Sequence, residues 1–330
     1  MEKTAEKAGS PEPPKFNVLV FLEKVPKYLK EGPWSPIAHL VLMTFLGYIL
    51  LTFEYAMQSY NELTNVHSIH YMQNVQMKNS NKDWIQYYRL FGGIYGICVT
   101  CGVIHFTGVW PLASFTLKSW NLATLRLVTS FVGALNLSIS PSFQVVAGKV
   151  LAFQYCNVMI FRSEDNSITV HSTENFLFRF VIFYFISLDT VRFPALVGCS
   201  MTVIVWWIVL VPVISAYMDA AARKRFGIFN KSFLLLNLHL FNLPLCAIEF
   251  IACGRCLTFF DLWMGLAVAF VYIMFYLNVL DRMGFHVYIV FTPRTVFCVF
   301  PYMMILFFYW GLHKGWNIVL SRIYELSCFV

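Results

Sequence analysis

Residues 231–252 read KSFLLLNLHLFNLPLCAIEFIA, a run in which only Lys231 and Glu249 carry a formal charge. A helix needs about 20 mostly apolar residues to cross the hydrocarbon core of a bilayer, and this run has that length. Advancing about 100° per residue, His239, Asn242, Cys246 and Glu249 fall on one narrow face, while Leu240, Phe241, Leu243 and Ile248 cover the rest. A charged group facing lipid at mid-membrane costs roughly 2.5 kcal/mol or more, so the polar stripe is expected to turn inward against other helices. Pro244 lacks a backbone donor, which leaves the Leu240 carbonyl free and predicts a kink beside His239, with room for a ligand.

The surrounding chain carries the same message. Of its 330 residues 58% are hydrophobic and only 12% charged, against ~25% charged in a soluble globular chain. Seven spans are expected, at 36–57, 85–107, 119–138, 195–217, 231–252, 260–280 and 294–313, which makes the fold an all-α polytopic transmembrane helix bundle. Two further apolar stretches, 143–161 and 176–193, are shorter or interrupted by charge and read as interfacial, re-entrant or a tilted eighth span. Polar linkers run over 61–83, 162–175 and 221–231. Residues 1–34 mix Lys with Glu and carry Pro11, Pro13 and Pro14, so they are expected to form a polar mobile tail ahead of a bundle at 35–330. Lys and Arg counts per loop favour a cytoplasmic N-terminus, an orientation that an eighth span would reverse.

Several function classes drop out. The net charge of +7 sits in small clusters such as Arg223, Lys224 and Arg225, without the continuous basic stripe of a nucleic-acid binder. Cys98 with Cys101 and Cys253 with Cys256 have the spacing of zinc half-sites, but the first pair lies within an apolar span, where a thiolate is costly to bury. No metal or cofactor is required. His39, His105 and His239 all lie in spans, which keeps a haem protein or a transporter open as alternatives. Gly92, Gly93 and Gly96 suit close helix packing. Arg126, two turns into the third span, needs a partner, and Glu249 and Asp189 are the carboxylates at comparable depth; Asp189 can instead pair locally with Arg192.

His239, Leu243, Pro244 and Glu249, followed by Tyr272 through Gly284, Val287 and Tyr288, resemble the androgen-induced, FAR-17a-like integral membrane proteins and their rolling-stone relatives. The resemblance covers mainly 110–138 and 193–313. Trp110 to Asn121 looks like the family's second span, and Phe193 and Pro194 leading into Trp206 look like the start of its third. The first 80 or so residues have no counterpart, and 139–180 look like an insertion.

The resemblance implies a membrane-embedded hydrolase for fatty acid esters of hydroxy fatty acids, with a Thr nucleophile and a His base. The His falls on His239. The Thr aligns with Thr116 or, without a gap, with Lys118, and Ser114 and Ser119 are within reach. Asn242, Glu249, Asn121 and Arg126 make up the supporting polar face, with Asn121, Asn242 or Lys118 as candidate oxyanion donors. The partners implied are the lipid bilayer and a lipid substrate, in an endomembrane such as the endoplasmic reticulum, with the mitochondrial inner membrane as the other option. A non-catalytic role, as a rolling-stone-like factor or an accessory subunit of a larger membrane assembly, is the rival class.

Overall fold

The computed structural model describes residues 27–60, 83–139, 190–216, 218–284, 288 and 292–324. Among the described residues every regular element is helical. Helix α1 spans Pro36–Leu51 and continues after a 42° bend as Phe53–Tyr60. Helix α2 covers Asp83–Thr107. A tight turn at Trp110–Ala113 leads into α3, Phe115–Ile139. Then follow α4 at Thr190–Ala216, the short α5 at Ala220–Asn230, α6 at Phe233–Ala252, α7 at Phe259–Leu280 and α8 at Val296–Tyr324.

Each of the seven expected spans meets a helix, although the count is approximate: among the described residues five helices are long and apolar enough to cross a membrane, six if bent α1 is one span. Helix α3, 25 residues long with Lys118 and Arg126 in its first half, is not among them. Boundaries shift by a few residues, most at two places. Helix α4 is already helical at Thr190, ahead of 195, and α8 runs on to Tyr324 rather than stopping at 313. Polar residues of this extension are bonded inside the bundle: His313 Nε2 meets the Thr258 carbonyl at 2.9 Å, and Asn317 bonds both the N–H and the C=O of Leu257. The stretches at 143–161 and 176–189 lie outside the described residues.

Only 28–39% of the most apolar window in each of these five helices is buried within the protein. Leu40, Phe91, Ile208, Val271 and Phe307 point outward and are 64–69% exposed, while Arg126, Arg192, Glu249 and Asp261 are buried. That inside-out arrangement suits hydrocarbon as the solvent, because lipid tails accept apolar side chains and leave polar groups to find partners within the bundle.

Small residues set the closest approaches. A Cβ on Gly96 of α2 would lie 2.2 Å from Thr124 Oγ1 of α3, and one on Gly93 would lie 2.9 Å from Val128 Cγ2. Trp120 of α3 uses this proximity to donate its indole N–H to the Gly96 carbonyl at 3.0 Å. Gly198 does the same for Ser119, and Gly265 for Phe193.

Cross-helix contacts fix the two ends. Residues 27–35, the last part of the segment read as a tail, are tied to the α7–α8 linker: Thr292 donates to the Leu29 carbonyl at 2.8 Å, and Ser35 N–H to the Pro293 carbonyl at 2.8 Å. Residues 1–26 lie outside the described residues. At the far end of α1, Tyr60 packs on Phe260 at the start of α7, and Arg192 at the start of α4 donates to the Arg255 carbonyl in the α6–α7 linker at 2.6 Å. Helix α5, with Arg223, Lys224 and Arg225 exposed, therefore shares an end with Lys27. The opposite end carries Cys256, which is disulfide-bonded.

Gly96→Ala is expected to destabilise the bundle by about 1–3 kcal/mol, the usual cost of overpacking. Thermal unfolding in detergent measures it, and an unchanged midpoint would mean that α2 and α3 do not pack through this glycine.

Candidate active site

Three of the long helices contain one wide, π-type turn each: Val205–Leu210 in α4, Asn237–Phe241 in α6 and Tyr276–Leu280 at the end of α7. Such turns are rare and favour functional sites. In α6 the turn lies just ahead of Pro244. The Asn242 N–H reaches back to the Asn237 carbonyl, one residue further than in an α-helix. Pro244 supplies no N–H to this stretch, and Trp207 of α4 donates its indole N–H to the His239 carbonyl at 2.8 Å.

The neighbouring Trp206 holds the His239 ring itself, stacked with centroids 4.0 Å apart at 27°. His239 Nδ1 lies 3.2 Å from the Leu235 carbonyl. A carbonyl only accepts, so Nδ1 carries the ring proton and Nε2 keeps its lone pair. Sequence periodicity placed His239 on the inner face, but the two tryptophans that fix its ring and backbone lie on another helix and leave no periodic signal.

All three wide turns border one cavity of about 110 Å³. Phe115 and Thr116 from α3, Thr202, Val205 and Trp206 from α4, and His239 from α6 line it, with Tyr272 and Tyr276 from α7, Tyr309 from α8, and Tyr288 completing the wall. The two residues expected to carry chemistry, Thr116 and His239, thus share one cavity wall. Tyr288 Oη accepts the Phe115 N–H at 3.2 Å and also contacts the hydroxyls of Thr116 and Tyr272. As a site residue Tyr288 was missed, because its sequence signal was only the spacing of a motif.

The alternative hydroxyls are engaged locally. Ser114 caps α3, accepting from the Leu117 N–H and donating to the Pro111 carbonyl, and Ser119 donates to the Phe115 carbonyl at 2.9 Å. Neither lines the cavity. Lys118 lies away from Thr116, its ammonium 3.8 Å from the Phe275 ring centre and 5.0 Å from that of Tyr272.

The supporting polar residues turn inward but serve other ends. Asn242 and Glu249 are 0% and 1% exposed, His239 8%. Asn121 accepts from Thr100 of α2 at 2.8 Å. Asn242 is buried with neither amide atom hydrogen-bonded among the described residues. None of Asn121, Asn242 and Lys118 is among the residues that line the cavity.

Glu249 has a different partner from the one expected. Arg89 of α2 grips it in a two-point pair at 2.9 and 3.1 Å, whereas Arg126 donates to Cys253 Sγ at 2.9 Å, and that thiol lies 3.8 Å from Glu249 Oε1. Arg89 sits near the start of α2, level with the end of α6, because these helices run antiparallel. Beside them Arg255 and Asp261 form a second two-point pair at 2.8 and 3.2 Å. Arg192 is spent on the Arg255 carbonyl and the Phe250 ring, 4.4 Å away, and Asp189 lies outside the described residues.

The metal and haem alternatives find little geometry. His39 and His105 are exposed on outer faces while His239 is buried. Cys98 and Cys101 are likewise exposed, and Cys256 is disulfide-bonded while Cys253 is free. Among the described residues no group of three His, Cys, Asp or Glu side chains is placed to hold a metal. Comparison with protein-family models, with curated proteins and with solved structures returns no match for this chain.

Removing one partner of a buried pair leaves the other charge uncompensated, so Arg89→Leu or Glu249→Leu alone should cost about 3–5 kcal/mol. The double substitution should cost less than either single one. A double-mutant cycle by thermal or denaturant unfolding measures this, and additive losses would dissolve the pair.

Proposed function

We propose that this chain is a membrane-embedded lipid-ester hydrolase of the androgen-induced, FAR-17a-like type, with Thr116 as nucleophile and His239 as its base. The observation that carries the proposal is the common cavity: a hydroxyl and an imidazole, from helices 123 residues apart in sequence, line the same aromatic chamber. A hydroxyl is a weak nucleophile until a nearby base takes its proton. His239 is in the right tautomer for that task, since its Nδ1 proton is spent on Leu235 and Nε2 is free to accept.

In the reaction proposed, Thr116 Oγ attacks the ester carbonyl carbon while its proton passes to His239 Nε2. The tetrahedral oxyanion then collapses, the bond to the alkoxy oxygen breaks, and His239 returns the proton to that leaving oxygen. Water, deprotonated by the same imidazole, attacks the acyl-threonine, releases the acid and restores Thr116. Tyr288 is the donor best supported for the oxyanion. Its oxygen accepts the Phe115 N–H at the positive end of α3, which polarises its own O–H toward donation.

A cavity of about 110 Å³ is smaller than the ~300 Å³ or more of a site that encloses a whole ligand. It suits the ester and a few methylenes, with the acyl chains leaving between helices into the bilayer. The membrane proposed is the endoplasmic reticulum, supported by the Cys256 disulfide at the end opposite the basic helix α5.

The test is labelling of the purified protein by a fluorophosphonate probe together with cleavage of a fatty acid ester of a hydroxy fatty acid. Thr116→Ala and His239→Ala should each lower both by at least about 10³-fold, and the double mutant should be no worse than the poorer single one, because the two act as a unit. Ser114→Ala and Ser119→Ala should retain labelling. Tyr288→Phe should lower kcat about 10²-fold, the usual cost of losing one oxyanion donor. Full turnover in His239→Ala ends the mechanism; purification only within a stable assembly, without labelling, favours the non-catalytic class.

A further inference from the structure

Among the described residues the half-buried ammonium of Lys118 has no carboxylate partner. Among the described residues the interior carboxylates are committed elsewhere: Glu249 to Arg89, Asp261 to Arg255 and Asp281 to Arg294, each through two points. Two aromatic rings are its contacts, Phe275 at 3.8 Å and Tyr272 at 5.0 Å. Cation–π contacts of this kind contribute about 0.5–2 kcal/mol, and they leave the charge without a counter-ion among the described residues. Its position is also electrostatically adverse. Lys118 is the fourth residue of α3, where the helix dipole already presents its positive end.

The place of Lys118 gives that charge a use. Tyr272, one of the two rings beneath the ammonium, also forms part of the cavity wall with Thr116. Phe115, one turn before Lys118, packs on the same ring at 5.3 Å. The cation therefore stands one aromatic ring from the chamber proposed for the ester. An anion placed there meets both the ammonium and the α3 dipole.

We propose that Lys118 forms an anion subsite beside the cavity, which selects substrates bearing a negatively charged group a short distance from the ester. The chemistry is shared by two sources, a free carboxylate on a hydroxy-acyl chain and a phosphate on a phospholipid. The identity of the ligand as a substrate rests on the hydrolase reading; its capture by Lys118 does not.

The experiment uses the full chain in nanodiscs of neutral phosphatidylcholine and three non-hydrolysable ether probes: one with a free carboxylate, its methyl ester, and one ending in phosphate. Wild-type protein should bind one anionic probe about tenfold more tightly than the methyl ester, a difference of about 1.4 kcal/mol. Lys118→Met should bring that ratio close to one, and Lys118→Arg should keep most of it. Whichever anionic probe wins names the source. An unchanged ratio in Lys118→Met, or no preference in the wild type, overturns the subsite and leaves Lys118 as a side chain reaching for headgroups. If fluorophosphonate labelling fails but the Lys118-dependent ratio holds, the hydrolase reading falls and the subsite stands.

Discussion

A backbone carbonyl inside hydrocarbon has no water to turn to, and Pro244 creates one such orphan in the middle of α6. The response organises the center of the molecule. A wide turn precedes the proline, Trp207 donates to the His239 carbonyl beside it at 2.8 Å, and the adjacent Trp206 stacks on the His239 ring. Helix α4 is thereby fastened to α6 at the level of the imidazole. The space that the widened turns open between α3, α4, α6 and α7 is the cavity. A single absent N–H thus links chain chemistry to helix register, helix register to packing, and packing to the only buried imidazole near a threonine hydroxyl among the described residues of that wall.

The same constraint governs the opposite end of the bundle. Four arginines, Arg89, Arg126, Arg192 and Arg255, converge there with Glu249 and Asp261. Their donors are distributed over carboxylates, carbonyls, a thiol and an aromatic ring rather than left in lipid. Among the described residues this end is cross-linked by charged pairs and carbonyl contacts, whereas the cavity half is lined mainly by aromatic and aliphatic side chains.

Much of this was legible in the sequence, for definable reasons. Apolar runs of about 20 residues located the helices, because hydrocarbon thickness sets that length. The 100° rule put His239, Asn242 and Glu249 inside, because each is too polar for lipid. Partner choice was not legible. Depth left Glu249 and Asp189 both open to Arg126, and it is Arg89 that grips Glu249, since depth alone does not say which helix lies alongside. Thr116 and Lys118 could not be separated by spacing, and it is their different faces of α3 that distinguish them: one on the cavity, one against Phe275. Helix α8 runs beyond the expected 313, where the polar side chains of His313 and Asn317 bond the α6–α7 linker, a contact that sequence spacing does not reveal.

The three wide turns also have a genealogical side. A π-type turn is an α-helix that has accommodated one residue too many, and it leaves the segments on either side out of phase by about 100°. Helices α4, α6 and α7 each carry that phase slip beside the cavity. A bundle of uninterrupted helices, altered by single-codon insertions at three points, would acquire a chamber of this kind without any new loop or domain. Side chains that faced lipid before such an insertion would face the interior after it, so the hollow and its polar lining can arise together in one event per helix.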